Sequence, residues 1–311
     1  MTVYVGEKGY ISLLKDTMIN GENREGRNGK VYSSFGQMIS FKDINQAFPL
    51  LTTKKMFIRG IIEEILWFLR GSTDAKELQQ KGVKIWDGNS SREFLDSVGL
   101  SHYSEGELGP VYGWQWRKFG KKYVTIEDDK DDKDDKDDKE NENGFDQLKY
   151  IIEELMKPEY SRRAVLSGWN PTQLSEMALP PCHILYTFYK NKRGISCMMN
   201  MRSSDLFLGL PFNIASTAIL THIIAKVLHM NPIDISITMT DAHIYDEHID
   251  AVKSQFNNPI LETKAQLTIT SEPPPIDSPI DEKIKWINSL KYEDFVIDNY
   301  HSAETIKAPM K

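Results

Sequence analysis

Residues 183–201 read HILYTFYKNKRGISCMMNM. They hold two runs rich in branched and aromatic side chains, HILYTFYK and GISCMMNM, with the content of β-strands. RRAVLSGW (162–169) and DISITMT (234–240) have the same character. Away from these runs the apolar spacing changes. Phe57 to Arg70, FIRGIIEEILWFLR, carries apolar residues at helical spacing and stops at Gly71. Phe145 to Lys157 reads as an amphipathic helix ended by Pro158. Ile214 to Met230 has a broad apolar face (Ile214, Ile219, Leu220, Ile223, Ile224, Val227, Leu228) and reads as a buried helix. Helices and strands mix without regular βαβ alternation. The expected class is α+β: a large, mostly antiparallel or mixed sheet covered by helices.

The chain has 311 residues, enough to bury a sizeable core. Its 45 acidic and 38 basic side chains give a net charge of −7. Residues 127–142, EDDKDDKDDKDDKENE, hold 11 of the acids and 4 of the lysines, so this run alone carries −7. The rest of the chain is balanced, and no basic excess marks a nucleic-acid binder. The run has no apolar face, and folded-looking sequence flanks it closely. It reads as a solvated loop inserted into one domain spanning residues 1–311. There is no internal repeat. No apolar run reaches the roughly 18 residues that span a bilayer, and the N-terminus lacks a signal pattern. Two cysteines, Cys182 and Cys197, make no disulfide framework, so a reducing, cytoplasmic setting is expected. Walker A, GxGxxG, HExxH and CxxC patterns are absent. His243 and His248 are not at zinc-motif spacing, and no metal is assigned.

Cys182 lies in MALPPCHILYTF. Two prolines restrict the backbone before it and could hold a thiol at the end of a strand. An activated thiolate needs positive charge or donors nearby; a buried structural cysteine is the plainer alternative. Arginines are the second clue: Arg24 and Arg27 in a glycine-rich turn, adjacent Arg162 and Arg163, and Arg202 before Ser203. Guanidinium forks suit phosphate oxygens, while surface ion pairing is the alternative for each. Arg162 and Arg163 on one strand would face opposite ways, so both serve one pocket only through a bend or across a subunit boundary. Glu64 sits beside Trp67 and Phe68, where a buried carboxyl would hold its proton and could relay it. Its neighbour Glu63 is expected to face solvent. Asn213 either caps the helix that follows or reads a heterocyclic edge with its amide. His243 and Tyr245 point the same way on an extended strand.

The order FPLLTTKK, EEILWFLRGST, GVKIWDGNSSREFLDS, LGPVYGWQWR, SRRAVLSGWNP, MALPPCH, RSSDLFLGLPFNIAS, DAHIYDEHI, EDF and IKAP strongly resembles the thymidylate synthase family, from about Tyr10 to Pro309. The eukaryotic form is the nearer match. The resemblance implies reductive methylation of dUMP to dTMP, with 5,10-methylenetetrahydrofolate giving both carbon and hydride. Cys182 would be the nucleophile. Glu64 would manage proton transfer, and Tyr112 and His183 would complete the network around it. Asn213 would pair with the uracil edge, and His243 and Tyr245 would hold the deoxyribose. Arg202, Ser203 and either Arg24 or Arg27 would bind phosphate. Arg162 and Arg163 would come from the second subunit of a homodimer. Asp205, Ile85, Trp86, Asn89, Gly209 and Phe212 match positions around the folate. The tail, IKAPMK, would close over the ligands and exclude water.

Four positions depart from the family pattern. Residues 24–29 read REGRNG where Arg-Thr-Gly-Thr-Gly is usual, Met201 replaces Gln, Thr240 replaces Gly, and the segment 300–305, YHSAET, lacks a His-Pro pair. Two other readings compete. One is a uridylate hydroxymethylase of the same family, which adds water instead of hydride and would keep Asn213. The other is a catalytically dead relative acting as a binding protein, for example on RNA, which had no reason to keep Cys182, Glu64, Tyr112 and Asn213 together.

Overall fold

The computed structural model describes residues 3–26, 28–127, 144–262 and 264–310. The four segments expected as strands form strands, although RRAVLSGW contributes only three residues. They are β4 (Val165–Ser167), β5 (His183–Asn191), β6 (Gly194–Asp205) and β7 (Pro232–Tyr245). Three more precede them: β1 (Val3–Val5), β2 (Glu22–Gly26) and β3 (Gly29–Phe41). The sheet order is β1-β3-β7-β6-β5-β4, with β2 also paired to β3. It is mixed. β1–β3 and β6–β7 are parallel, and the other pairs are antiparallel. A separate hairpin-like pair, β8 (Gln266–Ile269) and β9 (Phe295–Asp298), stands apart from it.

The helices are α1 (Gly6–Asn20), α2 (Ile58–Leu69), α3 (Lys76–Gln79), α4 (Asp87–Ser90), α5 (Arg92–Ser97) and α6 (Tyr112–Lys118). They continue with α7 (Gln147–Met156), α8 (Gly209–Val227), α9 (Ile249–Phe256) and α10 (Ile280–Ser289). β6, α8 and β7 make one βαβ unit, whose crossover helix lies against both strands. By length and composition α8 could span a membrane, at mean hydropathy 1.3, which amends the expectation that no apolar run is long enough. Yet 83% of its apolar window is buried inside the protein, as in a core helix.

Alternation sets which face of the sheet is core. Along β6, Ile195, Cys197, Met199 and Met201 are buried, while Met198 between them is exposed. Along β5, Tyr186, Phe188 and Lys190 are buried and Tyr189 is 62% exposed. The other sheet face therefore carries apolar groups that no element among the described residues fully covers.

Glu63 contradicts its expected exposure. It is 4% exposed and accepts a 2.7 Å bond from Lys81, because α2 is enclosed on nearly all sides. The charge is tolerated inside because it is paired. Asn213 is no cap either. α8 begins at Gly209, four residues earlier, because Pro211 falls in the first turn, where its missing N–H costs no hydrogen bond. Arg162 and Arg163 lie on irregular chain before β4, so strand alternation does not separate them, and both are exposed. The acidic run beyond Glu127 lies outside the described residues. Its flanks meet: Phe119 and Phe145 exchange backbone hydrogen bonds of 3.0 and 2.8 Å.

One close packing positions the site. Gly113 in α6 sits against α2, and a Cβ there would lie 2.7 Å from the Phe68 carbonyl oxygen. Glycine lets the two backbones meet, and Tyr112 is carried to Cys182 by that contact. Gly113→Ala is expected to cost about 1–3 kcal/mol through overpacking. Thermal unfolding would read this as a lowered Tm, and an unchanged Tm would show that the helices separate freely.

Candidate active site

The prolines before Cys182 end in a clamp. Arg202 of β6 donates from Nε to the Pro181 carbonyl (2.8 Å) and from Nη2 to the Pro180 carbonyl (2.9 Å). Its backbone N–H also donates to the Cys182 carbonyl at 2.9 Å. The same Nη2 comes within 3.8 Å of Cys182 Sγ, and the Trp169 ring lies below the guanidinium at 5.8 Å. A guanidinium is thus held beside the thiol, which is the positive group a thiolate nucleophile requires. On the other side, the Cys182 N–H donates to Tyr112 Oη at 2.9 Å. This arrangement favours a reactive cysteine over a structural one. Cys197 is the structural case, buried mid-strand, where desolvation pushes its thiol far above the usual range.

Behind Cys182 is an aromatic block. His183 stacks on Tyr112 with ring centroids 4.2 Å apart, and its Nδ1 shares a 3.0 Å hydrogen bond with the Tyr186 hydroxyl. Burial lowers the His183 imidazole to about 3, so it is neutral at physiological pH and serves as a hydrogen-bonding ring, not a cation. Burial likewise pushes the Tyr112 phenol well above its normal range, so it keeps its proton. Phe68 of α2 packs on Tyr112 at 4.8 Å and ties this block to the Glu64 helix.

Glu64 accepts a 2.9 Å hydrogen bond from Trp86 Nε1. Desolvation raises its carboxyl to about 7, and the Trp86 bond offsets this only in part. A carboxyl poised there can give or take a proton near neutral pH.

A cavity of about 850 Å³ opens in front of these groups, within the range of small-ligand sites. Cys182, Arg202, Ser203, Asp205, His243 and Tyr245 line one part of it, and Ile85, Asn89, Phe94 and Leu179 another. Tail residue Met310 reaches its mouth. Trp86, just before α4, and Gly209, Phe212 and Asn213 of α8 are not among the residues that line it. An added Cβ at Gly209 would be 3.6 Å from Asp205 Cβ and 3.8 Å from Asn213 Oδ1, so these three residues adjoin. Among the described residues no cluster of three or more His, Cys, Asp or Glu could hold a metal.

Three of the expected arginines do not line the cavity either. Arg162 and Arg163 are exposed and absent from its lining. Arg24 instead pairs with Glu22 at 2.7 Å and lies 3.8 Å from Asp241. Arg27 lies outside the described residues. Met201, one of the four departures, faces the core and is 4% exposed, so it does not line the cavity. Thr240 is exposed.

The sequence reading missed Asp241, although its spacing was available. On β7, residues 241, 243 and 245 project to one face and all three line the cavity. Asp241 Oδ1 accepts from Ser33 Oγ at 2.9 Å and lies 3.2 Å from His243 Nδ1. His243, then Ser33 and Arg24, hold its carboxyl below the usual carboxylate range. Asp241 therefore fixes the His243 ring. Trp169 and Ser33 carried no sequence signal, because their partners come from distant strands.

Fold and site together bring a cysteine beside a guanidinium, a glutamate whose carboxyl holds its proton near neutral pH and a cavity suited to an anion onto one mixed sheet, the equipment of an enzyme. The chain belongs to the thymidylate synthase family, whose profile matches residues 8–311. It is 44% identical to a thymidylate synthase of Candida albicans over 98% of this chain and 97% of that one. It is also 44% identical to that of Saccharomyces cerevisiae (98% and 96% covered) and 42% identical to that of Homo sapiens (98% and 90%).

Proposed function

We propose that this chain converts dUMP to dTMP, with 5,10-methylenetetrahydrofolate donating the carbon and the hydride and leaving as dihydrofolate. The observation that carries the reading is Cys182, held at the cavity between Arg202 and Tyr112. In this reading the Cys182 thiolate adds to the pyrimidine 6-carbon. The enolate so formed attacks the folate methylene through the 5-carbon; loss of the 5-proton and departure of the folate nitrogen leave an exocyclic methylene on the pyrimidine, which accepts the hydride as the cysteine leaves. Glu64 supplies and removes the proton at the pyrimidine 4-oxygen, through water, in keeping with a carboxyl near 7. Asn213 pairs with the uracil edge, while His243 and Tyr245 hold the sugar. Arg202 and Ser203 take the phosphate, with a further arginine from residues 24–27. Ile85, Trp86, Asn89, Asp205, Gly209 and Phe212 receive the folate.

The same reading makes the protein a homodimer, a single domain per chain, with the acidic run as a surface insert. Arg162 and Arg163, exposed and absent from the lining of their own cavity, would reach the partner's phosphate site. The half-exposed sheet face around Tyr189 and Met198 is the surface suited to the partner. A reducing, cytoplasmic setting fits two cysteines that both stand as thiols.

Incubation with dUMP and methylenetetrahydrofolate is expected to yield dTMP and dihydrofolate in equal amounts, read by chromatography and the absorbance rise of dihydrofolate. Tetrahydrofolate with hydroxymethyl-dUMP would instead establish the hydroxymethylase. The relatives above are named synthases, which favours hydride over water.

A further inference from the structure

His248 lies outside every role assigned above, yet it joins three parts of the site. It ends the short turn Asp246–His248 after β7, and its side chain is fully buried. Its Nε2 lies 2.8 Å from the carbonyl oxygen of Pro309 in the tail. A carbonyl only accepts, so Nε2 carries the proton and donates. Its Nδ1 edge faces Asp205 Oδ1 at 3.8 Å. The ring packs edge-on against Tyr245 at 5.3 Å and lies tilted against Phe207 at 5.7 Å.

The earlier part of the tail is fastened elsewhere. Tyr300 donates to the Leu51 carbonyl at 2.9 Å, and the Ala303 N–H donates to the Thr52 carbonyl at 2.8 Å. From residue 305 to 310, among the described residues, the His248–Pro309 hydrogen bond is the polar contact that fixes the strap to the body of the fold. The next residue, Met310, lines the cavity. Asp205 meanwhile accepts the N–H groups of Phe207 and Leu208 at 2.9 and 3.1 Å, just before α8.

We propose that His248 is a positioning residue that latches the closed tail to the Asp205 wall of the cavity. It makes tail closure and folate occupancy one cooperative event. The proposal rests on the synthase reading, because closure matters where water competes with hydride for a reactive methylene. Gln can present its amide N–H near the position of Nε2, whereas Asn is too short to reach Pro309 and Leu has no donor.

The test compares His248→Leu, His248→Asn and His248→Gln with the unmodified protein. The Leu and Asn variants are expected to raise KM for methylenetetrahydrofolate about three- to tenfold, the range one hydrogen bond supplies. Tritium release from [5-³H]dUMP should then exceed dTMP formation, because water reaches the intermediate. The Kd for dUMP alone should stay unchanged, and Gln should restore both readouts. Removing residues 309–311 should abolish the difference between Leu and His, as expected of two groups acting through one contact. If Leu proves unstable, the Asn and Gln pair decides. Equal KM and equal tritium-to-dTMP ratios in Asn, Gln and the unmodified protein would overturn the latch alone. An unmodified protein that makes no dTMP would overturn the synthase reading as well.

Discussion

Cys182→Ala is expected to abolish dTMP formation, by at least about 10⁴-fold, while dUMP binds nearly as before. The loss follows from chemistry: without Sγ nothing adds to the 6-carbon, and the 5-carbon never becomes nucleophilic. The retained binding follows from geometry. Arg202 touches Sγ only at 3.8 Å, but it is anchored by Pro180 and Pro181 at 2.9 and 2.8 Å. Removing one sulfur leaves that clamp intact, and the anion site with it. The measurement pairs steady-state turnover with calorimetric titration of dUMP. A companion assay uses 5-fluoro-dUMP with the folate, which should trap a covalent adduct on the peptide containing Cys182 in the unmodified protein only. Persistent turnover in the Ala variant would move the nucleophile elsewhere. Lost dUMP binding in a folded variant would mean that the thiol holds the Arg202 clamp together.

Legibility of this protein from sequence depended on how local each cause was. β5 and β6 were plain in residues 183–201, because strand content and alternation are read within one run. α8 was equally plain in its apolar middle, but its start was not. Pro211 looks like a boundary and is a first-turn residue, so Asn213 passed for a cap. β3 escaped notice because Gly36, at positive φ, interrupts a run that is half serine, glycine and glutamine. Glu63 and Glu64 show the limit best. Adjacent acids on one helix suggested one inside and one outside. In fact Lys81, 18 residues on, brings a countercharge to Glu63, and Trp86 brings a neutral donor to Glu64. The two carboxylates differ through partners that no local pattern encodes. The same holds for His248, whose meaning depends on a tail 61 residues away.

Glu64→Gln should separate the cost of that neutral partner from its use. The carboxyl titrates near 4.5 in the unfolded chain and near 7 in the fold, with desolvation as the main cause. Between those values the native state binds the proton more tightly than the unfolded state. Stability from this group is therefore fully present below about pH 4.5 and is lost as pH rises through 7. By pH 8 the ionised Glu64 costs up to about 3 kcal/mol relative to a neutral side chain, against about 1 kcal/mol or less at pH 5. Gln removes the charge and keeps an oxygen to accept the Trp86 N–H. The variant should accordingly unfold several degrees higher than the unmodified protein at pH 8 and nearly together with it at pH 5. Turnover should fall about 10²- to 10⁴-fold, since the amide cannot exchange a proton with the pyrimidine oxygen. A Tm gain of equal size at both pH values would assign the effect to packing. No gain at pH 8 would mean that water or another group already solvates the carboxylate. A gain confined to high pH, joined to lost turnover, would show that the fold sustains a destabilising carboxyl at this position because catalysis requires it.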